Sequence, residues 1–182
     1  MNRAILTACL LSLLTLSCEP AFAQTPGDTG GPITNQAARD ATTERVKGGA
    51  ACPRCDLFQA DLSYRDLHGR DFSGARLRQA DLEVSTADRA NFRAANLSLA
   101  NLFGARFSGA DFTDANLSGA NLVGAYLGAA HFSGAVMHNA NLAGAELDHA
   151  VGLTQAQLST ACGDASTTLP HGLSIPICQR AS

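Results

Sequence analysis

The sequence carries little charge of either sign and, beyond its first few residues, no long hydrophobic run. Thirteen Lys and Arg against 16 Asp and Glu leave a formal charge of −3 at neutral pH. That balance supplies neither the basic face of a nucleic-acid binder nor the dense acidity of a nucleic-acid mimic. The longest apolar stretch, Ala4 to Leu16, falls short of the ~20 residues that cross a bilayer, and no second stretch follows, so membrane insertion of the mature chain is not expected. Arg3 ahead of it and Ala21-Phe22-Ala23 behind it make the pattern of a secretory leader, with cleavage expected after Ala23. The mature chain is then expected to be periplasmic or secreted. Cys18 is not expected to be lipidated, because Thr15-Leu16-Ser17 places Thr where lipoprotein signals carry Leu.

Residues 24–50 also lack large apolar side chains and any sustained period, and read as a flexible linker. A short helix over Asn35 to Lys47 has only the thin apolar face of Ala37, Ala38, Ala41 and Val46 to recommend it.

What the chain does have is a repeat. From Leu57 to Leu147, stepping by five, 19 central positions follow without insertion, and 18 of them are large and apolar; Ala87 is the exception. Two residues before each stands Ala in 15 of the 19 cases, with Cys55, Arg65, Arg70 and Ser85 departing. A period of five fits neither a helix at 3.6 nor a strand at 2, so each unit is one side of a coil with a turn between sides. Phe72, Phe92, Phe112 and Phe132 recur every 20 residues, and Leu62, Leu82, Leu102, Leu122 and Leu142 keep a second register at that interval. Four units therefore close one coil, and these residues form the structural core of an all-β solenoid spanning 51–150. Like rings stack along one inner wall, and Phe107 leans into the space left by Ala87, twenty residues earlier. So narrow a tube has room for one large side chain and one methyl per side, which is why Ala recurs. Nearly five coils at the ~4.8 Å strand spacing make a rod of roughly 23 Å.

The unit Ala115-Asn116-Leu117-Ser118-Gly119, with close copies at Ala100 to Gly104 and Ala120 to Gly124, resembles the pentapeptide-repeat family. The resemblance implies a right-handed, four-sided β-helix. It also brings in relatives that mimic DNA and bind topoisomerases. Eleven acidic and 7 basic residues over 55–149, together with the leader, argue against that role here.

The ends of a solenoid need covers. Thr154 and Gln157 have capping-box spacing, Leu153, Ala156, Leu158 and Ala161 offer apolar contacts, and Gly163 is placed to end the helix. A C-terminal cap over 151–182 follows, its tail returning to Cys178. Cys52, Cys55, Cys162 and Cys178 remain after leader removal, an even count that favours two disulfides in an oxidising compartment. A bond between Cys162 and Cys178 closes the tail on the rod. Cys52-Pro53-Arg54-Cys55 has thiol-exchange spacing but no βαβ context; both cysteines fall on inward positions, which makes a staple the preferred reading and a thiol-active protein the alternative. Asp56 stands where haem attachment requires His.

No residue proposes a catalytic role, a cofactor or a metal. His68, His138 and His171 have no acidic neighbour in the ladder, while His131 stands twenty residues after Asp111 and near His149; Arg106 stands twenty before Tyr126. A convex rod gives these pairs no pocket, and they read as surface contacts. The informative exception is apolar: Tyr64, Val84, Leu99, Phe103 and Val123 occupy outward positions on or beside one face. They are a candidate interaction patch for a protein partner or for self-association, unless the linker or the C-terminal loop covers them. The expected function is an exported, non-enzymatic binding or scaffolding module.

Overall fold

The computed structural model describes residues 36–179. The expected leader, Cys18 and the start of the linker lie outside the described residues.

Each five-residue side ends in a turn. The N–H three residues beyond the central one returns to the central carbonyl, as Ala60 does to Leu57 at 3.0 Å. The residue just before it takes positive φ, between 53° at Val84 and 71° at Gly134. Glycine is favoured there because it alone meets no Cβ penalty in that region. Val84, β-branched and at φ 53°, is the costliest occupant.

Coil then stacks on coil. Parallel bridges join residues twenty apart from Asp56–Arg76 to His131–Val151 without a slip. Every N–H of a side that carries Asp or Asn before its centre is accounted for. In the side centred on Leu97 and its kin, the residue before the centre donates to the preceding coil (Asn96 to Ala75 O, 2.9 Å). The centre and the positive-φ residue donate to the following coil (Leu97 to Asn116 O, 2.8 Å; Leu99 to Ser118 O, 2.9 Å). The remaining N–H, one past the centre, needs a side chain, and Asp or Asn two residues back accepts it. Examples are Asp61 from Ser63 at 3.1 Å and Asn116 from Ser118 at 3.0 Å. The recurrent Asp/Asn is thus an Asx-turn acceptor that leaves no buried donor unmet.

Inside the tube the central side chains from Leu57 to Leu147 are buried. Phe72, Phe92, Phe112 and Phe132 stack with centroids 5.2, 5.1 and 5.3 Å apart. Phe107 stands edge-on to Phe112 at 5.3 Å and to Phe92, in Ala87's own coil, at 5.8 Å, the lean expected from the small residue. Edge-to-face and offset geometries are those that ring quadrupoles favour.

The departures from Ala are also explained. Arg65 and Arg70 lie in the first coil, where the inward position opens onto the rod's end and a long side chain escapes. Arg70 reaches out to donate to Val46 O at 2.8 Å and Asp66 O at 3.0 Å. Val46 belongs to α1 (Gln36–Lys47), so the linker expected over 24–50 is helical in its second half. Its buried residues are Thr43 and Val46, while Ala37 and Ala41 are exposed. A thin apolar face suffices because Val46 plugs the open coil and Arg70 binds a helix-terminal carbonyl. Ladder bonding also starts one side before Leu57: Cys52 donates to Asp71 O and Arg54 to Ser73 O, both at 2.7 Å.

At the other end α2 (Gln155–Leu158) is capped by Thr154 in a full capping box with Gln157. The Gln157 amide also donates to Phe132 O (2.8 Å) and Ala135 O (2.9 Å), covering carbonyls of the last regular coil. The helix stops at Ser159, not at Gly163, because the chain must return at once to place Cys162 on the ladder beside Asn141. One turn buries Leu158 alone, so Ala156, expected on the apolar face, is exposed. Thr168 then bridges Glu146, and Gly163 pairs with Ile177 to close the end.

Candidate functional site

The outward positions of the face built on Leu62, Leu82, Leu102, Leu122 and Leu142 run Ser63, Glu83, Phe103, Val123 and Ala143 in one column, and Tyr64, Val84, Gly104, Gly124 and Gly144 in the next. Tyr64 is 70% exposed, Leu99 50%, Val84 45% and Phe103 44%, whereas Val123 is half-buried. The C-terminal loop, expected as a possible cover, leaves these side chains open. Gly104, Gly119 and Gly124 carry no side chains beside them, so Phe103 and Leu99 stand on a flat backbone floor. From Asn101 to Ala143 this face bears no charge. The acidic end of the strip is at Asp81 and Glu83, where Tyr64 donates to Glu83 at 3.2 Å and the carboxylate raises the phenol's pKa.

The cysteines pair as Cys52–Cys55 and Cys162–Cys178, with Cα separations of 5.4 and 4.7 Å. Cys52 is buried, on the central position of its side. Cys162 and Cys178 hold the tail on the last coil.

The histidines do not converge. All five are exposed. His149 pairs with its neighbour Asp148 at 3.2 Å, and the Asp111 carboxylate turns to Arg93 at 3.3 Å although its backbone bridges His131. Burial pushes the Asp111 pKa up, but hydrogen bonds from the Thr113 hydroxyl and N–H, followed by Arg93, outweigh it and hold it below the ordinary value. Among the described residues no His, Cys, Asp and Glu group is arranged to hold a metal. No described helix is long and apolar enough to cross a membrane.

Asp88 was not singled out by sequence. It is buried, and its carboxylate binds the Arg106 guanidinium and accepts the Ser108 N–H at 3.0 Å. Arg106 occupies the usual Asp/Asn place in the side centred on Phe107, so that side has no Asx acceptor of its own; Asp88 supplies one from the preceding coil. The signal was legible as an Asp twenty residues before a unit lacking Asp or Asn. Arg106, Asp88, Ser108 and Tyr126 line an open depression of about 430 Å³. Its cation is already committed, and Asp88 raises the Arg106 pKa accordingly.

Comparison with known proteins gives a consistent result. A search of curated proteins returns no match. Among solved structures, the chain is similar to a pentapeptide repeat protein from the Arabidopsis thaliana thylakoid lumen at 31% identity, covering 65% of this chain and 88% of that one, with a TM-score of 0.58. It is also similar, with lower TM-scores of 0.37 and 0.41, to two pentapeptide repeat proteins of Nostoc PCC 7120. One is HetL, involved in heterocyst differentiation regulation, at 29% identity over 65% of this chain and 61% of that one. The other is 27% identical over 71% and 93%. The family model for pentapeptide repeats matches residues 55–93, 85–119 and 120–151, which is more than half of the sequence, and the chain belongs to the pentapeptide-repeat family.

Proposed function

We propose that this chain is an exported, non-enzymatic binding module: a rigid four-sided rod, of the right-handed sense that its family implies, presenting one flat apolar face to a protein partner. The observation that carries the reading is the exposure of Leu99 and Phe103 on the charge-free part of this face, with Val84 beside them at its acidic end, in a chain whose other outward positions are largely polar. Leaving such a patch in water is unfavourable by roughly 25 cal/mol per Å², and a partner removes that cost.

Export is supported by the leader pattern ahead of Gln24, by two disulfides of the kind that persist in oxidising compartments, and by likeness to a thylakoid-lumen protein. Intact-mass measurement of the periplasmic or secreted fraction tests it, the expected species beginning at Gln24.

The binding reading is tested by a photo-crosslinking residue placed at Phe103 and, as control, at Thr113 on the opposite face. Adducts from position 103 alone, abolished when Leu99 and Val123 are both changed to Asp with the circular dichroism unchanged, support the reading. Equal labelling from both faces, or none from either, rejects it.

A further inference from the structure

The N-terminal end of the rod gathers positive charge around one ring. The guanidinium carbons of Arg76, Arg39 and Arg78 lie 4.8, 5.5 and 5.9 Å from the centroid of Phe58. Stacking on a ring uses a guanidinium's face and leaves its in-plane N–H donors to be met by something else. Here the protein meets few of them. Arg39 bonds Gln36 through Nη2, but its Nε is buried and has no hydrogen-bond partner among the described residues. The Arg78 side chain makes no hydrogen bond or ion pair among the described residues. Arg76 has a single long contact, 3.5 Å from Nη1 to Asp56.

This is not how the chain treats its other arginines. Arg70, equally half-buried, is satisfied by two carbonyls. Arg54, Arg65 and Arg89 have no side-chain hydrogen bond or ion pair among the described residues but are exposed, where water serves them. Among the described residues only the Phe58 cluster combines partial burial, unmet donors and three like charges; Asp56 meets Arg76 alone, and Asp40 is linked to Arg39 only through Gln36. A buried donor without a partner in a native fold calls for a missing acceptor, and three convergent guanidiniums specify its charge.

We infer that Arg39, Arg76 and Arg78, arrayed around Phe58 where α1 meets the first two coils, form a binding site for a phosphate- or sulfate-type oxyanion. A tetrahedral oxyanion offers several acceptor oxygens, enough to bridge in-plane donors of different guanidiniums, as one carboxylate does not. The site is independent of the apolar face and lies at the helix-capped end of the rod.

The test uses the mature protein and inorganic phosphate or sulfate, titrated by calorimetry against chloride at constant ionic strength. Saturable binding with a Kd of about 1 mM or tighter is expected. Arg78→Gln, which changes only a side chain and leaves the ladder bond from Gln59 N–H to the residue 78 carbonyl in place, is expected to weaken it at least tenfold without changing the circular dichroism, and Arg89→Gln to leave it unchanged. A second arm adds vesicles of phosphatidylcholine with and without phosphatidylglycerol. Retention only by the latter, lost in Arg78→Gln, places the same oxyanion on a lipid headgroup. Absence of saturable binding in both arms, or binding indifferent to Arg78→Gln, overturns the assignment. The Arg39 Nε–H resonance gives an independent readout: it shifts on titration if the oxyanion meets that donor, and its immobility also overturns the assignment.

Discussion

Gly119 lies next to Leu99 across one coil step, and a Cβ added to it would stand 2.7 Å from Leu99 Cδ2. Leu99 therefore owes its place on the apolar face to the absence of a side chain in the following coil. Gly124 holds the same kind of positive-φ position, with no heavy atom within 4 Å of its added Cβ.

The comparison separates backbone strain from crowding. Gly124→Ala is expected to cost only the left-handed backbone term, about 1 kcal/mol. Gly119→Ala is expected to cost about 1 kcal/mol more, because Leu99 must move. In a Leu99→Ala background the two glycine substitutions become equal. Urea denaturation of the four variants measures this, and a difference that survives Leu99→Ala contradicts the crowding account.

Ser85 occupies an inward position that is Ala in most units, and its hydroxyl is buried with no hydrogen-bond partner among the described residues. Ser85→Ala removes an unmet polar group and leaves the methyl that the tube accommodates. A gain of about 1 kcal/mol in unfolding free energy is expected. A loss in the same urea experiment means that the hydroxyl is satisfied by something, for instance an enclosed water.

These cases show what could be read in advance. The five-residue period declared the tube, its four sides and the Phe stack, since each follows from which residues face inward, and inward positions are set by steric fit alone. Thr154 and Gln157 announced the cap for the same reason: the pair is local, and three residues of spacing contain its geometry. The helix α1 was legible in its extent but not in its docking, because its alanines suggest a face that the helix does not use. Its docking depends on Arg70 and on Val46 filling an open coil, and such long-range complementarity leaves no period in the sequence. Asp88 stayed hidden likewise, because its partner N–H lies twenty residues away at Ser108. The apolar patch was visible, but its flatness was not, since it comes from glycines in neighbouring coils.

Asp88 and Arg106 are expected to contribute unequally. Arg106 is 58% exposed in its side chain, so the ion pair is screened and worth little. The Ser108 N–H, by contrast, has no other acceptor among the described residues. Asp88→Ala is expected to cost about 2 kcal/mol and Arg106→Ala less than 1 kcal/mol. Faster amide exchange at Ser108 in Asp88→Ala alone is the direct check. Equal costs would assign the stabilisation to the ion pair instead.

The Asx-turn carboxylates couple this local geometry to pH. Asp61 is held below its ordinary pKa chiefly by the Ser63 hydroxyl and N–H, and Asp111 is held low despite burial by Thr113 and Arg93. A carboxylate whose folded pKa is depressed binds fewer protons folded than unfolded, so acid favours the unfolded chain. The resulting stability is complete above the unfolded carboxylate range, near pH 4, and is lost as pH falls through the lower folded values. The urea midpoint is therefore expected to stay level between about pH 5 and 7, where these groups are ionised in both states, and to decline below about pH 4. Ser63→Ala removes the largest contributor at Asp61 and should make the acid decline shallower while leaving its direction unchanged. If stability instead rose on acidification, relief of repulsion among the acidic side chains of this mildly anionic rod would outweigh its Asx hydrogen bonds, and the account of why Asp recurs in its repeats would have to change.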